Sequence, residues 1–213
     1  MKSKMYSKSK NYKFILPIIL LLFNIKICYA GAQKEEDLTY AVRSALAKAI
    51  SDGGYANTTN LFHTSEQKKT FESWKNKVSL RLQKRIPNDT LRHDLIDNIY
   101  YEAKRAGLEP ELVLGLIQVE SGFKKYAISI VSARGLMQVM PFWTRTIGNG
   151  DIPALFNPQV NLRYGCTILR HYLDRENGNL YLALGRYNGS RGQPQYPNAV
   201  RTAWENWKKN ISE

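Results

Sequence analysis

Two cysteines in 213 residues, Cys28 and Cys166, exclude a disulfide-framework protein, and 14 glycines exclude a collagen-like repeat. Acidic residues are also scarce: 18 Asp and Glu stand against 31 Lys and Arg, for a formal charge of +13. No apolar run reaches the roughly 20 residues that span a bilayer. The longest, residues 14–23, is interrupted by Pro17 and followed by Asn24 and Lys26. The 43% hydrophobic and 11% aromatic content excludes a mostly disordered chain. The length favours one domain of about 100–200 residues with a small appendage.

The basic excess is uneven. Residues 1–30 hold six lysines and no acidic residue, and without them the charge falls to +7. A basic polar start, an apolar run and the close Cys28-Tyr29-Ala30 form the three regions of a secretory signal peptide, cut after Ala30. Lys26 and Ile27 stand where a lipid-modified cysteine wants small residues, so a lipoprotein is the minor reading. The expectation is an exported, periplasmic or wall-associated product with no stable membrane insertion after leader cleavage. Cys166 is then the remaining cysteine, and its helical surroundings, residues 162–169, suit a small buried hydrophobe.

Helix formers fill residues 35–50, and a second helix is expected over 65–85, capped by Ser65 and stopped near Pro87. Leu91, Leu95, Ile96 and Ile99 then recur at helical steps before Gly107. Pro110 opens a helix to residue 120, and further helices are expected over 135–147, 158–176, 180–186 and 198–209. The reading is a mainly helical fold: a leader (1–30), a helical N-terminal segment (31–87) and a catalytic-sized domain (88–213). His63, His93 and His171 are scattered and lack ligand spacing, and Gly53-Gly54 lacks the Lys and Ser or Thr of a phosphate loop. No metal or cofactor is therefore expected. The cations are dispersed and follow a leader, which argues against nucleic acid.

One carboxylate stands out. Val113, Leu116 and Ile117 mark one helix face, and continuing it reaches Glu120. Burial and the negative end of the helix dipole both disfavour its ionised form, the environment of a general acid. The competing reading pairs it with Lys124 or Lys125.

From this residue the chain reads Glu120-Ser121-Gly122-Phe123, Ala127-Ile128-Ser129, Ala133-Arg134-Gly135-Leu136-Met137-Gln138-Val139-Met140-Pro141 and later Arg186-Tyr187-Asn188-Gly189. In this order and spacing, over residues 88–200, it resembles the soluble lytic transglycosylase family of lysozyme-like domains, which cleave bacterial peptidoglycan. The resemblance implies a lysozyme-like α+β superfamily fold, Glu120 as the single acid/base, and Ser129 hydrogen-bonding near it. It places Gln138 and Met140 along the sugar cleft, and Tyr187 and Asn188 opposite the glutamate. Three departures are visible: Ile130-Val131-Ser132 in place of a Pro-Ala-Gly type of loop, Arg186 where a small residue is usual, and Tyr196-Pro197-Asn198 where many members carry Glu-Thr. The first two are expected to tune the cleft, and no role is carried beyond Asn188.

Ordinary glycoside hydrolysis uses two carboxylates, yet no Asp or Glu occurs from Ser121 through Gly150. The resemblance implies a reaction that needs one: cleavage between N-acetylmuramic acid and N-acetylglucosamine with a 1,6-anhydro product. The alternatives are a hydrolytic muramidase and a non-catalytic wall-binding scaffold of a secretion apparatus. The partner is peptidoglycan, whose anionic peptides suit the positive charge, with an envelope-spanning assembly as a further possible partner. Residues 31–87 dock such a partner or brace the domain.

Overall fold

The structure is a computed structural model that describes residues 33–52, 54 and 58–212. The expected leader, with Cys28 and the Ala30 cleavage point, lies outside the described residues, as do Gly53 and residues 55–57 of the expected loop.

Eight α-helices are found among the described residues: α1 (Tyr40–Ser51), α2 (Ser65–Leu82), α3 (Asp89–Arg105), α4 (Pro110–Glu120), α5 (Phe142–Ile147), α6 (Pro158–Arg175), α7 (Leu180–Asn188) and α8 (Gln195–Ser212). Short 3-10 helices lie at Thr58–Leu61 and Pro153–Phe156. The mainly helical expectation holds, and β structure among the described residues is limited to two isolated antiparallel bridges, Ile128 with Arg134 and Arg134 with Val139.

Helix α4 is the centre. Leu112, Val113, Leu114, Gly115, Leu116 and Ile117 are all buried, so the helix is enclosed on every side. Along it runs α8, whose buried Tyr196, Val200, Ala203 and Trp207 form one stripe at helical spacing. A Cβ at Gly115 would stand 2.7 Å from the backbone nitrogen of Trp204. Glycine in a helix interior costs about 1 kcal/mol relative to alanine, and here it allows the two backbones to approach.

Helix α3 packs against α4, and on its other side α3 packs against α6, with which it shares a buried ion cluster. Glu102, fully buried, lies between Arg105 at 2.8 Å and Arg163 at 3.0 Å. The helices N-terminal to residue 88 join the same core. Phe71, Trp74, Val78 and Leu82 of α2 are buried in it, and the Trp74 indole donates to Glu111 on α4 at 2.7 Å. Leu91, expected on the buried face of α3, is 63% exposed; the packed stripe is Leu95, Ile96, Ile99 and Ala103.

Three differences from the expected boundaries have a visible cause, and two of these causes lie far along the chain. Helix α1 starts at Tyr40, capped by Thr39, and residues 33–39 before it have no regular secondary structure and engage α5, α6 and α7. Thr64, not Ser65, caps α2: its hydroxyl accepts from Gln67 N–H, and the Gln67 side chain returns to the Thr64 N–H, a capping box. The expected helix 135–147 begins only at Phe142. Gly135 and Gln138 adopt positive φ, +76° and +48°, and the Met137 amide is captured by Asn161 Oδ1 at 2.8 Å. Residues 135–138 are thus a turn and not the first turn of the expected helix.

Cys166, on α6, is fully buried with its sulfur 4.0 Å from that of Met137. Burial pushes its thiol far above the ordinary range, consistent with a hydrophobe and not a nucleophile.

Candidate active site

Glu120 closes α4, and the turn that follows is sharp: Gly122 and Phe123 both take positive φ, and Ser121 N–H bonds back to Ile117 O. The side chain is 3% exposed. Its Oε1 accepts from the Tyr196 hydroxyl at 2.5 Å. Burial raises the carboxyl pKa from 4.5 to about 8, opposed by the Tyr196 hydrogen bond, which favours the ionised form. The group is a buried acid that holds its proton at neutral pH. Lys124 and Lys125 are exposed.

Ser129 and Gln138 belong to one hydrogen-bonded loop. The Ser129 hydroxyl accepts from Ala133 N–H at 3.1 Å, and the backbones of these two residues pair at 3.0 Å. Gln138 is buried, and its amide donates to the carbonyls of Gly135 at 2.9 Å and Ala127 at 3.2 Å. Both side chains brace the loop itself. Met140 is half-buried against the core. Asn161 secures the turn from below, with its Nδ2 donating to Arg134 O at 2.8 Å and Leu155 O at 2.9 Å. At the loop's outer edge Tyr126, Ile128 and Ile130 are exposed.

Tyr187 is fully buried on α7 and donates its hydroxyl to Met137 O at 2.8 Å, which fastens α7 to the turn. Burial raises its pKa far above the usual value, and the charge of Glu120 adds to this, so the two groups lie in one electrostatic neighbourhood. Asn188 turns away to donate to Ser190 Oγ at 3.0 Å, and its Oδ1 is buried without a hydrogen-bond partner in the protein. Gly189, at φ +76°, ends the helix in the left-handed conformation. Arg186 is held in an ion network by Glu36 and Glu176.

Tyr196 is the residue that the sequence reading left without a role at the site. Its position at the head of the Val200, Ala203 and Trp207 stripe is the signal that places it on the buried face of α8, opposite the end of α4. Of the other buried carboxylates, Glu102 is neutralised by Arg105 and Arg163, and Glu176 by Arg186 and Arg191. The hydrogen bond from Arg191 is the main cause that brings the Glu176 pKa down to about 2. A separate cleft of about 520 Å3 lies between α1, α5 and α6, and none of its lining residues belongs to the Glu120 cluster.

The family described as Transglycosylase SLT domain matches residues 97–210. A membrane-bound lytic murein transglycosylase C from Actinobacillus pleuropneumoniae serotype 5b (strain L20) is 38% identical over 108 residues, covering 42% of this chain and 29% of its own length. A transglycosylase of Enterobacteria phage PRD1 is 33% identical over 105 residues, covering 49% of this chain and 38% of its own. Among solved structures, the lytic transglycosylase Slt of Pseudomonas aeruginosa aligns with 29% identity and a TM-score of 0.40, over 55% of this chain and 20% of that one. The chain thus spans about a third of the length of the curated relatives that it matches.

Proposed function

Because this chain belongs to the Transglycosylase SLT domain family, we propose that it is a peptidoglycan lytic transglycosylase with Glu120 as its acid/base. The observation that carries this is a carboxyl group 3% exposed at the end of α4 and bonded by the Tyr196 hydroxyl, whose burial pushes its pKa up to about 8. Protonated Glu120 donates to the glycosidic oxygen between N-acetylmuramic acid and N-acetylglucosamine as that bond breaks. The substrate's acetamido group offsets the positive charge at the anomeric carbon. The resulting carboxylate is stabilised by the Tyr196 hydroxyl, which favours the ionised form. It then takes the proton of the muramoyl 6-hydroxyl, whose oxygen closes on the anomeric carbon as a 1,6-anhydro ring. No water is consumed, and Glu120 ends protonated as it began. The attacking group is tethered, so orientation and proton transfer suffice.

Residues 88–213 carry the reaction, with the partly exposed Ser129 and Met140 bordering the glycan path and the buried Gln138, Tyr187 and Asn188 supporting it from behind, and residues 1–30 direct export to the periplasm or wall. The name of the Actinobacillus relative, which specifies murein, supports this substrate. The test is mass analysis of products from purified wall. Anhydro products one water lighter than hydrolysed muropeptides are expected, with a fall of roughly 100- to 10,000-fold in Glu120→Gln, the usual worth of a general acid. Hydrolysed products point to a muramidase, and no products to a scaffold.

A further inference from the structure

The segment before α1 reaches the back of the site at two points. Gln33 is 4% exposed, and its Oε1 accepts from the Trp143 indole N–H of α5 at 2.8 Å. Gln33 also favours the ionised form of the Tyr187 phenol, against the burial that disfavours it. Three residues on, Glu36 bonds Arg186, the neighbour of Tyr187, at 3.0 Å, and also pairs with Arg175 at the end of α6. Arg186 continues to Glu176, and Glu176 to Arg191 at 2.7 Å. Arg191 in turn sits in the segment between α7 and Tyr196. A Cβ at Gly185 would stand 2.8 Å from the Cα of Arg191, so this segment is pressed onto α7.

From these contacts we infer that residues 33–36 are a positioning strap, in which Gln33 and Glu36 hold α7 and the segment leading to Tyr196 in register with Glu120. The inference rests on the acid/base reading of Glu120. Neither residue touches that carboxylate; they act through Tyr187, Arg186 and Arg191. The groups that titrate or carry charge around the strap include Arg175, Arg186, Glu176, Arg191, Asp174, Tyr172 and His171; the pKa of His171 is lowered by burial and by Arg175, and that of Tyr172 is raised by burial and by Glu36.

The experiment uses the full chain and its Gln33→Ala, Glu36→Ala and Trp143→Phe variants on purified glycan strands. The strap predicts a kcat at least tenfold lower in each, with KM within twofold. It also predicts an alkaline limb of the kcat profile displaced to lower pH as water gains access to Glu120. Trp143→Phe acts by releasing Gln33, so the Gln33→Ala, Trp143→Phe double variant is expected to be no slower than the worse single one. Unchanged kcat and limb in Gln33→Ala and Glu36→Ala overturn the strap. So does a kcat loss that follows only a lower melting temperature with the limb in its original place. The Glu120 titration is followed in parallel by carboxyl NMR. Absence of turnover in the unaltered chain defeats the functional reading alone, while the displaced titration still decides the strap.

Discussion

At the scale of a residue, Glu120 is a group whose chemistry costs stability. Its pKa is about 8 in the folded chain against an ordinary 4.5, so between those values the folded state holds a proton that the unfolded state has released. Stability from this group is complete below about pH 4.5 and is lost as pH rises to about 8, at about 1.4 kcal/mol per pH unit. Glu120→Gln, which has nothing to ionise, is expected to gain on the parent chain across this window and to level off above it. Urea unfolding at pH 5, 6.5 and 8 checks this: the gain is smallest at pH 5 and about 4 kcal/mol larger at pH 8. A flat difference across the three values contradicts the buried, protonated state. Tyr196 limits the effect, since its hydrogen bond supports the charged form.

At the scale of elements, the turn between the bridged loop and α5 depends on one side chain from α6. Asn161 is buried and satisfies the Met137 N–H and the carbonyls of Arg134 and Leu155. Asn161→Ala strands the Met137 N–H and Leu155 O, while Arg134 O keeps the Val139 N–H at 3.0 Å, and at about 1 kcal/mol or more for each buried unsatisfied group the loss is expected to reach about 2 kcal/mol. Chemical denaturation measures it, and a loss under about 1 kcal/mol indicates that the turn is held otherwise. This turn also marks where the sequence stops being legible. Pro110 at the start of α4, Pro158 after the Asn157 cap of α6, and Asn179 ahead of α7 announce their helices locally. Residues 135–141 look equally helical, because the partner that captures the Met137 amide lies 24 residues further on. The burial of Glu120 is legible from the spacing of Val113, Leu116 and Ile117. Its hydrogen bond to Tyr196 is not, because the two are 76 residues apart and meet only when α8 packs along α4. Gln33 is hidden for the same reason: its partner Trp143 is 110 residues away.

At the scale of the whole molecule, the helices before residue 88 are part of the core that positions the site. Phe71, Trp74, Val78 and Leu82 are buried, and at about 1.5–3 kcal/mol each their removal amounts to roughly 6–12 kcal/mol, as much as a small domain's net stability. Ties to α3 go with them: Lys75 to Asp97 at 2.7 Å and Arg92 to Ser79 at 2.8 Å. A chain restricted to residues 88–213 is therefore expected to lose cooperative thermal unfolding, followed by circular dichroism; a sharp transition at the parent temperature refutes a shared core. The same closure gives Cys166 a further meaning. A thiol sealed on the inner face of α6 meets oxidants, metals or alkylating reagents only while the core is open. Chemical attack at this sulfur therefore separates molecules by history: those that completed folding stay unmarked, and those caught before it carry the lesion.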